Sequence, residues 1–356
     1  MWVKKIINTS LNTLLLAGSL VLSIALCELA CRAWRGTEWL LHWPNVAMGE
    51  SIVRAEGDPA NCSQAYDSRL GWANQASLAS RECNIDADGT RHMAPAPPEA
   101  ASQPPILVLG DSFAVGHGVL DDETWPAYLQ PLVGQRIINA GVDGYGLDQT
   151  TLHAAREVAR LKPSLMVVNL IGDDLRRLEY KRTWALQKPY FTLEGDQLVL
   201  HNVPAPPRTP FNWAERNLGW SLLIERMVYG LGLYARWGEG DLRATPEGTW
   251  RDLACPLVRR LVSLGVPLFI VAQYDLSMWD AGPAYAAEQH DRIETVLACA
   301  KEIGVATLDT FPAIDRLMKA GQRDRLYRIW HHSPDGNRLV AELIAAELKA
   351  RGLPAP

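Results

Sequence analysis

The sequence predicts an α/β fold in which a parallel sheet is covered by helices on both faces, and three observations carry that reading. Short uninterrupted apolar runs such as Ile106-Leu107-Val108-Leu109 lack the polar alternation of a half-exposed strand, as strands buried on both faces do. These runs alternate with stretches of helical periodicity, the pattern of a sheet built from β-α units. Small and polar residues gather where the runs end, at the sheet edge where such folds bind ligands.

The elements follow in order. After Gly110, a helix is expected near Glu123 to Leu132, a strand at Ile137-Ile138, a helix over Leu147 to Leu161 and a third strand over Leu165 to Ile171. The alternation then pauses. Residues 180 to about 248 hold Pro204, Pro206, Pro207, Pro210 and several tryptophans, and read as an insertion rather than another β-α unit. It resumes with a helix near Arg251 to Leu264, a strand at Leu268 to Ala272, a helix near Tyr285 to Ile303 and a strand around Ala306 to Leu308. The last helix runs from Pro334 to about Arg351. Ser333 suits its cap, Pro334 its first position and Gly352 its stop.

The chain begins differently. Lys4 and Lys5 precede an apolar stretch from Ile6 to Leu29, strongest from Leu14 to Leu26. Its full length meets the roughly 20 residues that a membrane span needs. A signal anchor over residues 1–35 and a cleavable signal peptide are both open readings. Glu28 and Arg32 stand where a cleavage site wants small residues, which favours the anchor. Either reading places the rest of the chain in the periplasm or otherwise outside the cytoplasm, the lysines staying inside. Residues 36–103 form a lead-in that ends in an Ala- and Pro-rich linker, and 104–356 form the main domain.

Cysteine usage suits that compartment. Apart from Cys27 and Cys31, the chain has Cys62, Cys83, Cys255 and Cys299, for which three pairings or four free thiols are conceivable. Pairs 62–83 and 255–299 are favoured because each brackets one local unit. No CxxC or His/Cys cluster suggests a metal, and no cofactor is expected. A net charge of −5 over 356 residues offers no basic footprint for nucleic acid. Thirteen tryptophans against 5 phenylalanines serve core packing or carbohydrate stacking.

Four segments carry chemistry. Gly110-Asp111-Ser112-Phe113 places a serine at the turn after the first strand, beside free N–H groups of the following helix; it suits a nucleophile or a helix cap. Asn139-Ala140-Gly141-Val142-Asp143-Gly144-Tyr145-Gly146 follows the second strand. Its glycines allow close backbone approach, although a plain tight turn would look the same. Gly172-Asp173-Asp174 follows the third strand. His331-His332-Ser333-Pro334-Asp335-Gly336 precedes the last helix and supplies histidine, the usual base for activating a serine.

In order, spacing and placement these segments resemble the SGNH (GDSL) hydrolase family over roughly residues 104 to 352. The resemblance implies a three-layer α/β/α fold with a flavodoxin-like parallel sheet. It implies Ser112 as nucleophile, His331 as base, and an oxyanion hole from Ser112 and Gly144. Two departures stand out. Asp173 occupies the family's Asn position in the oxyanion hole, and the acid usually found two or three residues before the histidine is replaced by Ile329 and Arg328. Asp324 or an acid elsewhere could substitute as orienting acid, or a Ser112–His331 dyad could suffice.

The expected activity is cleavage of ester-linked acyl groups, in particular acetyl, with an envelope carbohydrate as the partner the resemblance and the tryptophans suggest. Two alternatives use the same fold: an O-acetyltransferase that passes the acyl group from Ser112 to a sugar hydroxyl, and a non-catalytic protein that binds glycan or an assembly partner.

Overall fold

The computed structural model describes residues 2–47, 62–184, 186–208, 212–233, 237 and 241–353. The chain divides into two compact units. The first joins residues 1–53 to 209–241, and the second joins 54–208 to 242–356. The segment 180–248 is thus shared between them.

In the first unit, α1 (Trp2–Arg35) is a single long helix. Its stretch Asn12–Arg35 holds an 18-residue window with a mean hydropathy of 2.2, and is long and apolar enough to cross a membrane. Within the same unit it packs against α6 (Leu222–Gly230).

The second unit is built on five parallel strands: β1 (Ile106–Leu109), β2 (Ile137–Asn139), β3 (Leu165–Leu170), β4 (Leu268–Ala272) and β5 (Ala306–Asp309). Their spatial order is β2-β1-β3-β4-β5, the flavodoxin-like arrangement. The apolar runs do what continuous apolarity requires. Leu107, Leu109, Met166 and Val168 face one core with α4 (Leu147–Leu161), α7 (Trp250–Val262) and α8 (Pro283–Glu302). Ile106, Val108, Val167 and Phe269 face the other core with α3 (Trp125–Val133), α9 (Phe311–Lys319) and α10 (Pro334–Arg351). The result is the expected three-layer α/β/α architecture. Between β1 and α3 lies the single-turn helix α2 (Ser112–Val115), and after β3 comes the short helix α5 (Gly172–Arg176).

Most boundaries fall within two residues of the sequence expectation. Helix α9 and the hairpin Tyr190–Glu194/Gln197–His201 were not expected. The pairs Cys62–Cys83 and Cys255–Cys299 form disulfides, with Cα–Cα separations of 5.4 and 5.6 Å. The first ties down the lead-in and the second joins α7 to α8 within one helical layer.

Candidate active site

The β2-β1-β3 order reverses direction at β1, and ligands in such sheets bind beyond the carboxyl ends of the strands at that point. Ser112 stands there at the start of α2. Asp111 caps the turn, its Oδ1 accepting from Phe113 N at 3.0 Å. Gly116 ends α2 in a left-handed conformation at φ 84°, and the amides of Gly116 and His117 both donate to the Ser112 carbonyl at 3.0 Å. The chain therefore bends back at once, which brings His117 alongside the serine's own turn.

His331 reaches the same point from the short hairpin Tyr327–Arg328/His331–His332 that leads into α10. Its Nε2 lies 2.9 Å from Ser112 Oγ, a hydrogen bond between residues 219 apart in sequence. Burial, then the neighbouring His117, hold its pKa down to about 3, while Asp143 pulls upward. His331 is therefore neutral at ordinary pH and free to accept the serine proton.

The glycine-rich segment after β2 forms the adjoining wall. Gly144 sits at φ 77°, and a Cβ there would run into the ring of Trp184. Gly141 is tighter, because a Cβ would strike the Val115 amide nitrogen and come within 2.7 Å of the Ala114 carbonyl carbon. This glycine lets the loop lie against α2. Asn139 fastens the contact by donating to the Ala114 carbonyl at 2.9 Å and accepting from Gly141 N at 3.0 Å. Among the described residues, the N–H groups of Ser112 and Gly144 donate to no protein acceptor, which suits them to an oxyanion.

Asp173 is ionised. Burial raises its pKa, but Arg177 and Arg176 outweigh that and hold it well below the usual carboxylate range. Arg177 NH2 lies 2.8 Å from Asp173 Oδ2, and Arg176 Nε pairs with Oδ1. As an ionised carboxylate it cannot donate to an oxyanion. Asp324 is not brought to His331: its side chain is 93% exposed and pairs with Arg323 at 3.1 Å. Arg328 and Ile329 lie on the exposed side of the histidine's hairpin, Ile329 in its left-handed turn at φ 55°. Among the described residues no carboxylate hydrogen-bonds His331.

Several neighbours escaped the sequence reading. His117 stacks on His331, with ring centroids 4.4 Å apart, and its Nδ1 is 2.9 Å from Asp143 Oδ2. Arg177 is a buried hub, donating to the Tyr145 carbonyl at 2.9 Å and to Asp174 at 2.6 Å, with Asp111 at 3.9 Å. Burial pushes the Asp111 carboxyl up to about 6, partly opposed by Arg177. Asp111 also accepts from Asn169 at 2.9 Å, and Gln273 in turn donates to Asn169. The lead-in is structural support. Trp72 and Gln64 donate to the Asp143 carbonyl at 2.9 and 2.7 Å, and buried Arg91 donates to the carbonyls of Val115 and Gly116 at 2.9 and 2.8 Å. An Arg-Arg pair after Asp174 and a His flanked by glycines after Ser112 were the available signals. Neither has a fixed meaning without the fold.

No family model matches the chain, and no curated protein matches it in sequence. Among solved structures it is similar to TesA at 14% identity, covering 69% of this chain and 98% of that one, with a TM-score of 0.42. A lipolytic protein of the G-D-S-L family from Desulfitobacterium hafniense is similar at 13% identity over 69% of this chain and 100% of that one, TM-score 0.39. An acetylxylan esterase from Geobacillus stearothermophilus is similar at 14% identity over 69% and 94%, TM-score 0.43. Such identities concern fold only.

Proposed function

We propose that this protein is an extracytoplasmic serine esterase that works through Ser112 and His331. The observation that carries the reading is the 2.9 Å contact between His331 Nε2 and Ser112 Oγ at the sheet's switch point. Ser112 Oγ attacks the ester carbonyl as His331 takes its proton, and the N–H groups of Ser112 and Gly144 receive the oxyanion. His331 then returns the proton to the leaving alcohol, and water releases the acyl group by the same steps. A short acyl group such as acetyl fits a serine that is only 5% exposed. The two disulfides and the apolar N-terminal helix support a location outside the cytoplasm. A carbohydrate ester of the envelope is the substrate class that fits this location.

The test is labelling of the full chain with a fluorophosphonate, the modified residue being located by mass spectrometry. Labelling of Ser112 that is lost in His331→Ala supports the pair. A folded protein whose Ser112 stays unlabelled rules out an activated nucleophile. Release of acetate from an acetylated sugar without added acceptor separates hydrolysis from transfer.

A further inference from the structure

Far from Ser112 in sequence, the first compact unit carries a surface suited to a lipid headgroup layer. We propose that residues 212–233 form a collar around the outer end of α1 and seat in the interfacial layer of the bilayer that α1 crosses. The proposal rests on reading α1 as a membrane span and is independent of the chemistry at Ser112.

The first observation is a pair of charges at the end of the span. Glu28 and Arg32 are 5% and 0% exposed, although α1 otherwise presents leucines, isoleucine and valine outward. Charges so placed are costly near hydrocarbon unless their hydrogen bonds are met within the protein. Here they are met chiefly by the collar. Glu28 accepts from Ser221 Oγ at 2.7 Å and from the amides of Leu222 and Leu223 at 3.0 Å, so it caps α6. Arg32 donates to Glu28 at 2.7 Å, to the carbonyls of Trp39 and His42 at 3.1 and 2.9 Å, and to the Trp220 carbonyl. In water a sealed pair of this kind contributes little. Next to lipid it removes the penalty that would otherwise oppose the span.

The second observation is what the collar shows outward. Trp213, Met227 and Leu231 are 71%, 55% and 68% exposed, and Trp220 and Tyr229 are exposed as well. Such a concentration of large apolar side chains on so short a segment marks an interaction surface. The third is the pairing of tryptophan with exposed arginine where the collar meets α1. Arg226 lies 3.8 Å from the Trp34 ring centroid. Arg35 lies 4.2 Å from that of Trp39. Tryptophan and tyrosine collect at headgroup depth, and arginine there reaches phosphate. This surface lies against the outer end of the span, whose own exposed leucines carry the apolar character onward, so lipid is the occupant favoured over a protein partner.

The experiment uses the full chain with Cys27 and Cys31 replaced by alanine, reconstituted in phosphatidylethanolamine–phosphatidylglycerol vesicles. A nitroxide is placed in turn at positions 20, 213, 227 and 231, and its collision rates with oxygen and with a water-soluble nickel chelate are compared. The expected result is a lipid-embedded label at 20. At the three collar positions the oxygen-to-nickel ratio should be raised several-fold over that of a nitroxide in buffer. An embedded label at 20 with buffer-like ratios at all three collar positions would overturn the collar. Spin–spin broadening at those positions would overturn it too, in favour of a second copy. A buffer-like ratio at 20 overturns the span and the collar together. None of these outcomes bears on the serine, so the esterase reading stands or falls separately.

Discussion

His117 lies face to face with His331, the two rings 25° from parallel and 4.4 Å apart, and the far ring is tied to Asp143 at 2.9 Å. A stacked imidazole cannot orient its neighbour through a hydrogen bond as an acid on Nδ1 would, yet it acts electrostatically. After burial, His117 is the largest influence pushing His331 down, and Asp143 is the largest pulling it up. The histidine is thereby neutral across the working range but a weak base, since general bases serve best with a pKa near operating pH.

Replacing either partner should move the acid limb of the kcat/KM profile in opposite directions. In His117→Ala the depressing neighbour is gone, the His331 pKa rises, and the limb moves to higher pH. In Asp143→Asn the counter-charge is gone, and the limb moves to lower pH while kcat falls by roughly tenfold, as expected when about 1.4 kcal/mol of imidazolium stabilisation is lost. The Trp72 and Gln64 contacts use the Asp143 carbonyl, so the loop is retained in both variants. Profiles that superimpose on the wild type would exclude this coupling.

Asp173→Asn tests the oxyanion hole. An amide at this position is neutral and can donate, and one such donor contributes about 2.7–4 kcal/mol to transition-state stabilisation in other serine hydrolases. Esterase turnover should therefore rise by at least about tenfold. The variant also gives up the ion pairs with Arg176 and Arg177, so its melting temperature should drop. Unchanged turnover alongside the lower melting temperature would place the side chain outside reach of the oxyanion.

Two glycines of the second loop should respond differently. Gly141→Ala directs a methyl at the backbone of Val115 and Ala114, which cannot move aside without displacing the serine's own turn. Thermal unfolding should show a loss of several kcal/mol, the upper end for a single substitution. Gly144→Ala meets only the Trp184 ring and a left-handed backbone, which together cost about 1–3 kcal/mol. It should fold, with kcat reduced because the displaced amide no longer faces the oxyanion.

The fold was legible because four of the five strands of the main sheet are buried on both faces, so apolarity runs unbroken along Ile106–Leu109 and Leu268–Ala272. Helix α9 carries Phe311, Ile314, Leu317 and Met318 at helical spacing, but over nine residues that pattern is short beside those of the longer helices. At the site, Ser112 and His331 stood out since they lie at strand and helix ends, where position in sequence fixes position in space. His117, Asp143 and Arg177 act through contacts made by chain reversal, and no spacing rule encodes a stack between residues 117 and 331. The support from Arg91 and Trp72 was hidden for a related reason: an irregular lead-in carries no periodicity to show which side chains turn inward.

His332 is 3% exposed between Phe113 and Tyr327. Burial holds its pKa down to about 3, against roughly 6.5 in an unfolded chain. Above pH 6.5 both states are neutral and the residue adds no pH dependence. Between 6.5 and 3 the unfolded chain binds a proton that the fold refuses, so stability falls as pH falls, by about 1.4 kcal/mol per pH unit. His331 acts in the same direction. Asp111, raised to about 6, acts in the opposite one, because between about pH 6 and the ordinary carboxylate range the fold binds a proton that the unfolded chain does not. The useful quantity is thus the difference between variant and wild type. His332→Phe should lose about 2 kcal/mol less than the wild type between pH 6.5 and 5 in urea unfolding. Equal losses in the two proteins would mean that His332 already carries its proton in the fold.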